Sequence, residues 1–199
     1  MAHRDATPGA RLFFALWPGQ VLRERVTTHQ ALWNWAPPSR PTPAAKTHLT
    51  LLFMDGVDPA RIPDLLQIGA DVGRRFAGFE LVLDRAGVWR HGGIAHLAPQ
   101  HPPVPLLALH AALVDRVGRR GLPFDSRAYS PHLTLGRRAE RLDPPAAFPP
   151  LRWPVRGFAL VQSLLGSGRY VVLGRWPARG GDAERSPLIA ARAAPSRSR

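Results

Sequence analysis

The tightest constraint on this chain is a repeat of four residues. His48-Leu49-Thr50-Leu51 and His132-Leu133-Thr134-Leu135 are identical and lie 84 positions apart. At the chain's own residue frequencies a second copy arises by chance with a probability of roughly five in a thousand. In an extended strand successive side chains alternate between faces, so each copy sends His and Thr to one side and two leucines to the other. A single copy would read as an ordinary half-buried strand with its His and Thr in solvent. Two copies imply two related halves, and a pseudo-twofold between them would bring two imidazoles and two hydroxyls to one groove.

Hydrophobic periodicity sets the repeated strands among further elements. Arg11 to Trp17 predicts a buried strand closed by Pro18-Gly19, and Leu22, Val26, His29 and Trp33 give the apolar stripe of a helix ending before Pro37-Pro38. Residues 36 to 45 read as a proline-rich loop and Thr47 to Phe53 as a strand; Ile62, Leu65, Gly69, Val72 and Phe76 then mark a second helix, ended by Gly78. Alternation at Phe79 to Asp84 and Ile94 to Ala98 predicts a hairpin. Leu106, Leu109, Leu113 and Val117 form the core face of a third helix, capped by Gly121, before the strand His132 to Gly136. A proline-rich stretch from Pro144 to Pro154 precedes a hairpin of Phe158 to Ser163 with Tyr170 to Trp176. This order predicts an α+β fold, not a doubly wound parallel sheet.

With 199 residues, 45% of them hydrophobic, the chain can bury a sizeable core in one domain, expected over residues 11–177 after a flexible 1–10. Residues 178–199 are expected to be a disordered basic tail, solvated more readily than bound to RNA. Lys+Arg number 27 against 14 Asp+Glu, a net charge of +13, and Lys46 is the sole lysine. That balance favours an anionic partner, although a GC-rich genome also yields an Ala-, Pro- and Arg-rich chain. Zero cysteines exclude disulfides, thiol nucleophiles and Cys-based zinc sites and fit a reducing compartment. No apolar run approaches the roughly 18 residues of a membrane span, and Leu12 to Trp17 is too short for a signal core, so a cytoplasmic protein without a membrane partner is expected.

Paired histidines suit phosphodiester chemistry. One neutral imidazole takes a proton from an attacking hydroxyl or water while the other, protonated, supplies one to the leaving oxygen, and both titrate near working pH. The threonine hydroxyls can hold nonbridging phosphate oxygens. The scheme requires no metal and no cofactor, and no HExxH or Asp-rich cluster points to a metal site.

The two motifs, together with Arg11-Leu12-Phe13-Phe14-Ala15-Leu16-Trp17-Pro18 and Tyr129-Ser130-Pro131 ahead of the second motif with Arg137 after it, resemble the 2H phosphoesterase superfamily over residues 11 to 177. Within it the likeness is to the bacterial RNA 2',3'-cyclic phosphodiesterase or 2'-5' RNA ligase family. The resemblance implies two pseudosymmetric α+β lobes, antiparallel sheets flanking a central groove with helices outside. It implies His48 as proton donor and His132 as proton acceptor, with Thr50 and Thr134 on phosphate. The symmetry of the motifs does not itself assign acid and base. One departure is Phe53-Met54-Asp55-Gly56, where relatives often read Phe-Leu-Gly.

The implied reaction opens a 2',3'-cyclic phosphate with water, cleaves the bond to O3' and leaves a 2'-phosphomonoester. A 5'-hydroxyl in place of water gives a 2'-5' linkage without ATP. The implied partners are RNA ends of this kind, tRNA halves among them, acted on by a monomer. The competing readings are an RNA-end-binding module without turnover and an enzyme for small cyclic nucleotides.

Two further substrate contacts are candidates. Strict alternation turns Arg137 away from His132, but a bulge or strand end would redirect it toward phosphate. Phe13 or Phe14, with Phe14 the candidate, could stack a base, against the stronger expectation of core packing. His91, His96 and His101 are spaced by five, which matches neither a helix nor a strand face, and are read as separate surface or hairpin positions. His29 and His110 are read as packed boundary residues, and the tryptophans beyond Trp17 as structural or peripheral.

Overall fold

The two repeated strands lie side by side at the centre of the sheet. The computed structural model describes residues 9–164 and 166–179, in the order β1 (Ala10–Leu16), α1 (Gln20–Gln30), β2 (Arg40–Pro41), β3 (Leu49–Val57), α2 (Ile62–Gly73), β4 (Phe79–Leu83), β5 (Arg85–Trp89), β6 (Ile94–Ala98), α3 (Val104–Arg119), β7 (Leu133–Arg137), β8 (Leu151–Val155), β9 (Gly157–Leu164) and β10 (Arg169–Pro177). The main sheet runs β10-β9-β1-β3-β7-β6-β5, with β2 on β7, and every pairing is antiparallel. It is an α+β fold of two half-sheets joined by the repeat, as the sequence predicts.

The joint is narrow. β3 and β7 pair at Leu49 opposite Leu133, the same position of each motif. A local twofold therefore passes between these leucines, and antiparallel register sets His48 across from Thr134 and His132 across from Thr50. Helices obey the same repeat: α1 and α3 begin at Gln20 and Val104, also 84 positions apart.

One face of the sheet is covered by all three helices. Leu49, Leu51, Leu133 and Leu135 are at most 1% exposed and share a core with Leu22 and Val26 of α1, Leu65 and Ile68 of α2, and Leu106 and Leu113 of α3. Each such side chain contributes about 1.5–3 kcal/mol on burial, so the leucines of the repeat anchor its strands while leaving the opposite face open. On that open face a second cluster forms from Phe13, Ala15, Ala159 and Val161, flanked by Trp17, Phe53 and Tyr170.

The pairings correct two expectations. Phe79–Leu83 does not form a hairpin with Ile94–Ala98: it pairs with β8 in a separate two-stranded sheet, and the hairpin partner of β6 is β5. The proline-rich stretch from Pro144 to Pro154, for which the sequence predicts no strand, runs into one at its end, Leu151-Arg152-Trp153-Pro154-Val155, whose alternate residues are buried. Pro154 is tolerated because a two-stranded sheet has only edge strands. Most of the expected tail lies outside the described residues. Ala178 and Arg179 are still tied to the body, their N–H groups donating to Arg156 O and Phe76 O. Ala10, assigned to the flexible start, is already the first residue of β1.

Candidate active site

Each histidine precedes its strand and is held the same way. His48 Nδ1 lies 2.6 Å from Lys46 O, and His132 Nδ1 lies 2.8 Å from Ser130 O, in both cases the carbonyl two residues back. A carbonyl only accepts, so Nδ1 carries the hydrogen and Nε2 is the atom that gains or loses a proton. Thr50 and Thr134 are half-buried on the same face. Two imidazoles with fixed tautomers and two hydroxyls thus converge where the half-sheets meet.

Their surroundings differ. His48 stacks on Phe13 (ring centroids 4.8 Å apart) and Trp17 (5.8 Å), with the edge of Tyr170 at 5.4 Å. This desolvation pulls its pKa down to about 4, with the Lys46 carbonyl opposing and the charges of His132 and Arg137 adding to the depression. His132 packs against Trp89 at 4.4 Å and lies 6.0 Å from His96. Its pKa is also lowered, by burial first, against the Ser130 carbonyl and with help from Arg137.

Arg137 reaches this face through a bulge. β6 pairs Ala95 with Gly136 but His96 with Thr134, so β7 carries one extra residue there. Leu135 and Gly136 both turn to the helix-covered side, where Leu135 is buried and any side chain at 136 would strike Trp35. Arg137 returns to the groove, near enough to act on both histidines. β3 has the same bulge: Phe14 pairs with Leu52 and Ala15 with Thr50, Leu51 and Leu52 both enter the core, and Phe53 returns to the open face. Phe53 and Arg137 are therefore equivalent positions. Arg40 of β2 pairs directly across from Arg137, and among the described residues neither guanidinium meets a carboxylate, whereas Arg11, Arg61, Arg90 and Arg127 do.

A cavity of about 350 Å³ opens beside His132 and Thr50, between the free edge of β3 and the segment before β7. Its walls are anchored through β3 carbonyls: His110 Nδ1 donates to Leu51 O at 2.7 Å, and the Asp125 N–H donates to Phe53 O at 2.9 Å. His110 stacks flat on Tyr129 at 3.9 Å. The other half has a counterpart, Gln30 Nε2 donating to Leu135 O at 2.7 Å. Each first helix of a half thus supports the motif of the other half.

His48, Thr50, His132, Thr134 and Arg137 come together. Phe14 does not join them: it is fully buried on the helix side against Phe158 and Trp176, and Phe13, one residue earlier and on the other face, reaches the groove. His96 was expected at a separate surface or hairpin position; it is in a hairpin but only 4% exposed, packed on Trp89 at 4.4 Å beside His132. Register supplies the signal that spacing alone lacked, since a side chain paired with Thr134 must share its face. Among the described residues no group of three or more His, Asp or Glu is placed to hold a metal ion, and no helix is long and apolar enough to cross a membrane.

The fold sets a pair of imidazoles, each held at Nδ1 by a carbonyl, between pseudosymmetric half-sheets. The family model of the 2'-5' RNA ligase superfamily matches residues 22–166, and the chain belongs to that superfamily. It is 33% identical over 172 residues to an RNA 2',3'-cyclic phosphodiesterase of Escherichia coli (strain K12), covering 83% of this chain and 95% of the relative. It is 32% identical over 186 residues to a protein of the same name from Thermus thermophilus, covering 85% and 91%. The crystal structure of E. coli LigT complexed with 3'-AMP superposes with a TM-score of 0.72 at 32% identity, covering 85% of this chain and 98% of that one.

Proposed function

We propose that the protein hydrolyses RNA 2',3'-cyclic phosphate ends to 2'-phosphomonoesters, with ATP-independent 2'-5' ligation as the related transfer to a 5'-hydroxyl. The observation that carries this reading is the pair of histidines on one face, each with Nδ1 engaged by a carbonyl and Nε2 left to move protons. His132 Nε2 accepts the proton of the attacking water. His48 Nε2 donates to O3' as the phosphorus–O3' bond breaks. Thr50, Thr134 and Arg137 hold the nonbridging oxygens, and the bound phosphate anion favours the protonated form of His48 that desolvation opposes. The two similar RNA 2',3'-cyclic phosphodiesterases, and the 3'-AMP bound in the similar E. coli LigT structure, support a substrate with a nucleotide phosphate. Both histidines belong to one chain, which supports action as a monomer; RNA ends such as tRNA halves, in the cytoplasm, are the proposed setting.

The test is turnover of an oligoribonucleotide 2',3'-cyclic phosphate in the presence of EDTA, with the product assigned by phosphorus NMR. A 2'-phosphate is the expected product. A 3'-phosphate, or activity that vanishes on chelation and returns with a divalent ion, overturns the scheme.

A further inference from the structure

The open face gathers positive charge a second time, away from the reacting atoms. Arg175 of β10 pairs with Ala159, Ala159 with Ala15 and Ala15 with Thr50, so one row of side chains crosses four strands on that face. Strands stand about 4.8 Å apart, which sets the Arg175 backbone roughly 14 Å from that of Thr50, too far to hold the phosphate under attack. Trp17, two residues past Ala15 on the same face, stacks on His48. Arg23, near the start of α1, lies over the same indole, its Cζ 5.5 Å from the ring centroid. Two guanidiniums thus stand together at the His48 end of the groove. Burial first, and then the charge of Arg175, disfavours the protonated form of Arg23, and burial does the same to Arg175. Among the described residues neither meets a carboxylate, and Arg23 Nε is buried without an acceptor. Arg11, on the same face, is held by Asp55 at 2.8 Å. Like charges drawn together and partly desolvated without a counter-ion are costly, and an anion that bridges them removes the cost.

We propose that Arg23 and Arg175, beside Trp17, bind a phosphodiester phosphate upstream of the cyclic end in the same RNA strand, and so select a polynucleotide over a cyclic mononucleotide. The inference rests on the reading of His48 as proton donor. Displacement at phosphorus is in line, so O3' departs toward His48 and the ribose that carries it lies on that side. The 5'-oxygen of this ribose leads the strand out past Trp17 and Tyr170, whose rings meet edge to face and offer a surface for a base. The next phosphates then come to the two guanidiniums, whose planar forks match phosphate oxygens. Such contacts position the strand without reading its sequence.

The test compares kcat/KM for a pentaribonucleotide 2',3'-cyclic phosphate with that for adenosine 2',3'-cyclic phosphate, in the full-length protein, in Arg175→Gln and in Arg23→Gln. The wild type should favour the pentamer and lose that advantage as salt rises, since each phosphate contact on a single strand adds about 0.7 to the slope against log salt. Either substitution should cut the pentamer's advantage about tenfold or more, through KM, and flatten its salt slope toward that of the mononucleotide. Arg175 is exposed on an edge strand, so its variant keeps the test open if Arg23→Gln fails to fold. An equal fall for both substrates, or an unchanged ratio, would overturn the phosphate site. Wild-type turnover of both substrates with equal efficiency would overturn it and leave the proposed function standing; turnover of neither would overturn both.

Discussion

The half of the site around His48 and the half around His132 start from the same four residues and end in different chemistry. Thr50 is paired with Ala15, which is paired with Ala159; the equivalent Thr134 is paired with His96, which is paired with Gly87. Small residues on the first side leave room for Phe13, Trp17 and Tyr170 to close around His48. On the second side Gly87 makes room for the His96 ring, because a Cβ there would stand 3.0 Å from it. The shared bulge delivers a phenyl ring at Phe53 and a guanidinium at Arg137. Backbone symmetry builds the pair of imidazoles, and the neighbours that break the symmetry give them unequal acidities.

The largest effect should come from removing either member of the pair. His48→Ala and His132→Ala should each lower hydrolysis by about 10²–10⁴-fold, the usual worth of one positioned acid or base. Both side chains lie on the open face while their leucine neighbours anchor the strands, so thermal unfolding should hardly move. Near-normal turnover in either variant with unchanged unfolding would break the two-histidine comparison at its root.

A smaller effect sharpens the difference between the halves. Both imidazoles are depressed, His48 to about 4 and His132 below its ordinary 6.5, so both are neutral in the free protein at neutral pH. On the proposed assignment the reactive form has His48 protonated and His132 neutral, which is the minority arrangement when the acid has the lower pKa. The bell of kcat/KM should therefore peak between about pH 4 and 6.5. Because Tyr170 helps to exclude water from His48, Tyr170→Ser should raise the His48 pKa and move the peak to higher pH. Each unit of that rise gives about tenfold more of the reactive form at neutral pH. Histidine NMR titration of the two proteins, beside their kcat/KM profiles, checks it; a peak that stays put or moves to lower pH would show that the aromatic enclosure does not set the acidity of His48.

How much of this was legible in the sequence follows from range. The repeat exposed the central strands, their leucine anchors and the two imidazoles that share the open face, because strand alternation is a local rule. It could not show that β3 and β7 meet at a single residue pair, nor that β4 would leave β6 for β8, 68 residues further along at its first residue, since pairing partners depend on tertiary packing. Arg137 was decidable only through a bulge, which register between strands creates. Phe13 and Phe14 looked alike as adjacent aromatics until β9 and β3 fixed which face each occupies. His96 was hidden for the same reason, its five-residue spacing from His91 and His101 carrying no information about its cross-strand partner.

The smallest effect expected is from a change outside both halves. Residues 180–199 lie beyond the described residues, and in sequence they carry Arg185, Arg192, Arg197 and Arg199 against Asp182 and Glu184. Net positive charge of that kind strengthens encounter with a polyanion and does so in a salt-dependent way, since each phosphate neutralised releases counterions. Both motifs and their supporting contacts belong to residues before 180. Deleting 180–199 should therefore raise KM for an oligoribonucleotide by only a few-fold at low salt, by less at high salt, and leave kcat alone. Steady-state constants for the full and shortened chains at two ionic strengths, with a cyclic mononucleotide as the substrate that lacks a trailing polyanion, separate encounter from chemistry. A large fall in kcat with the fold preserved would mean that the segment enters the groove and that the two histidine halves do not complete the site.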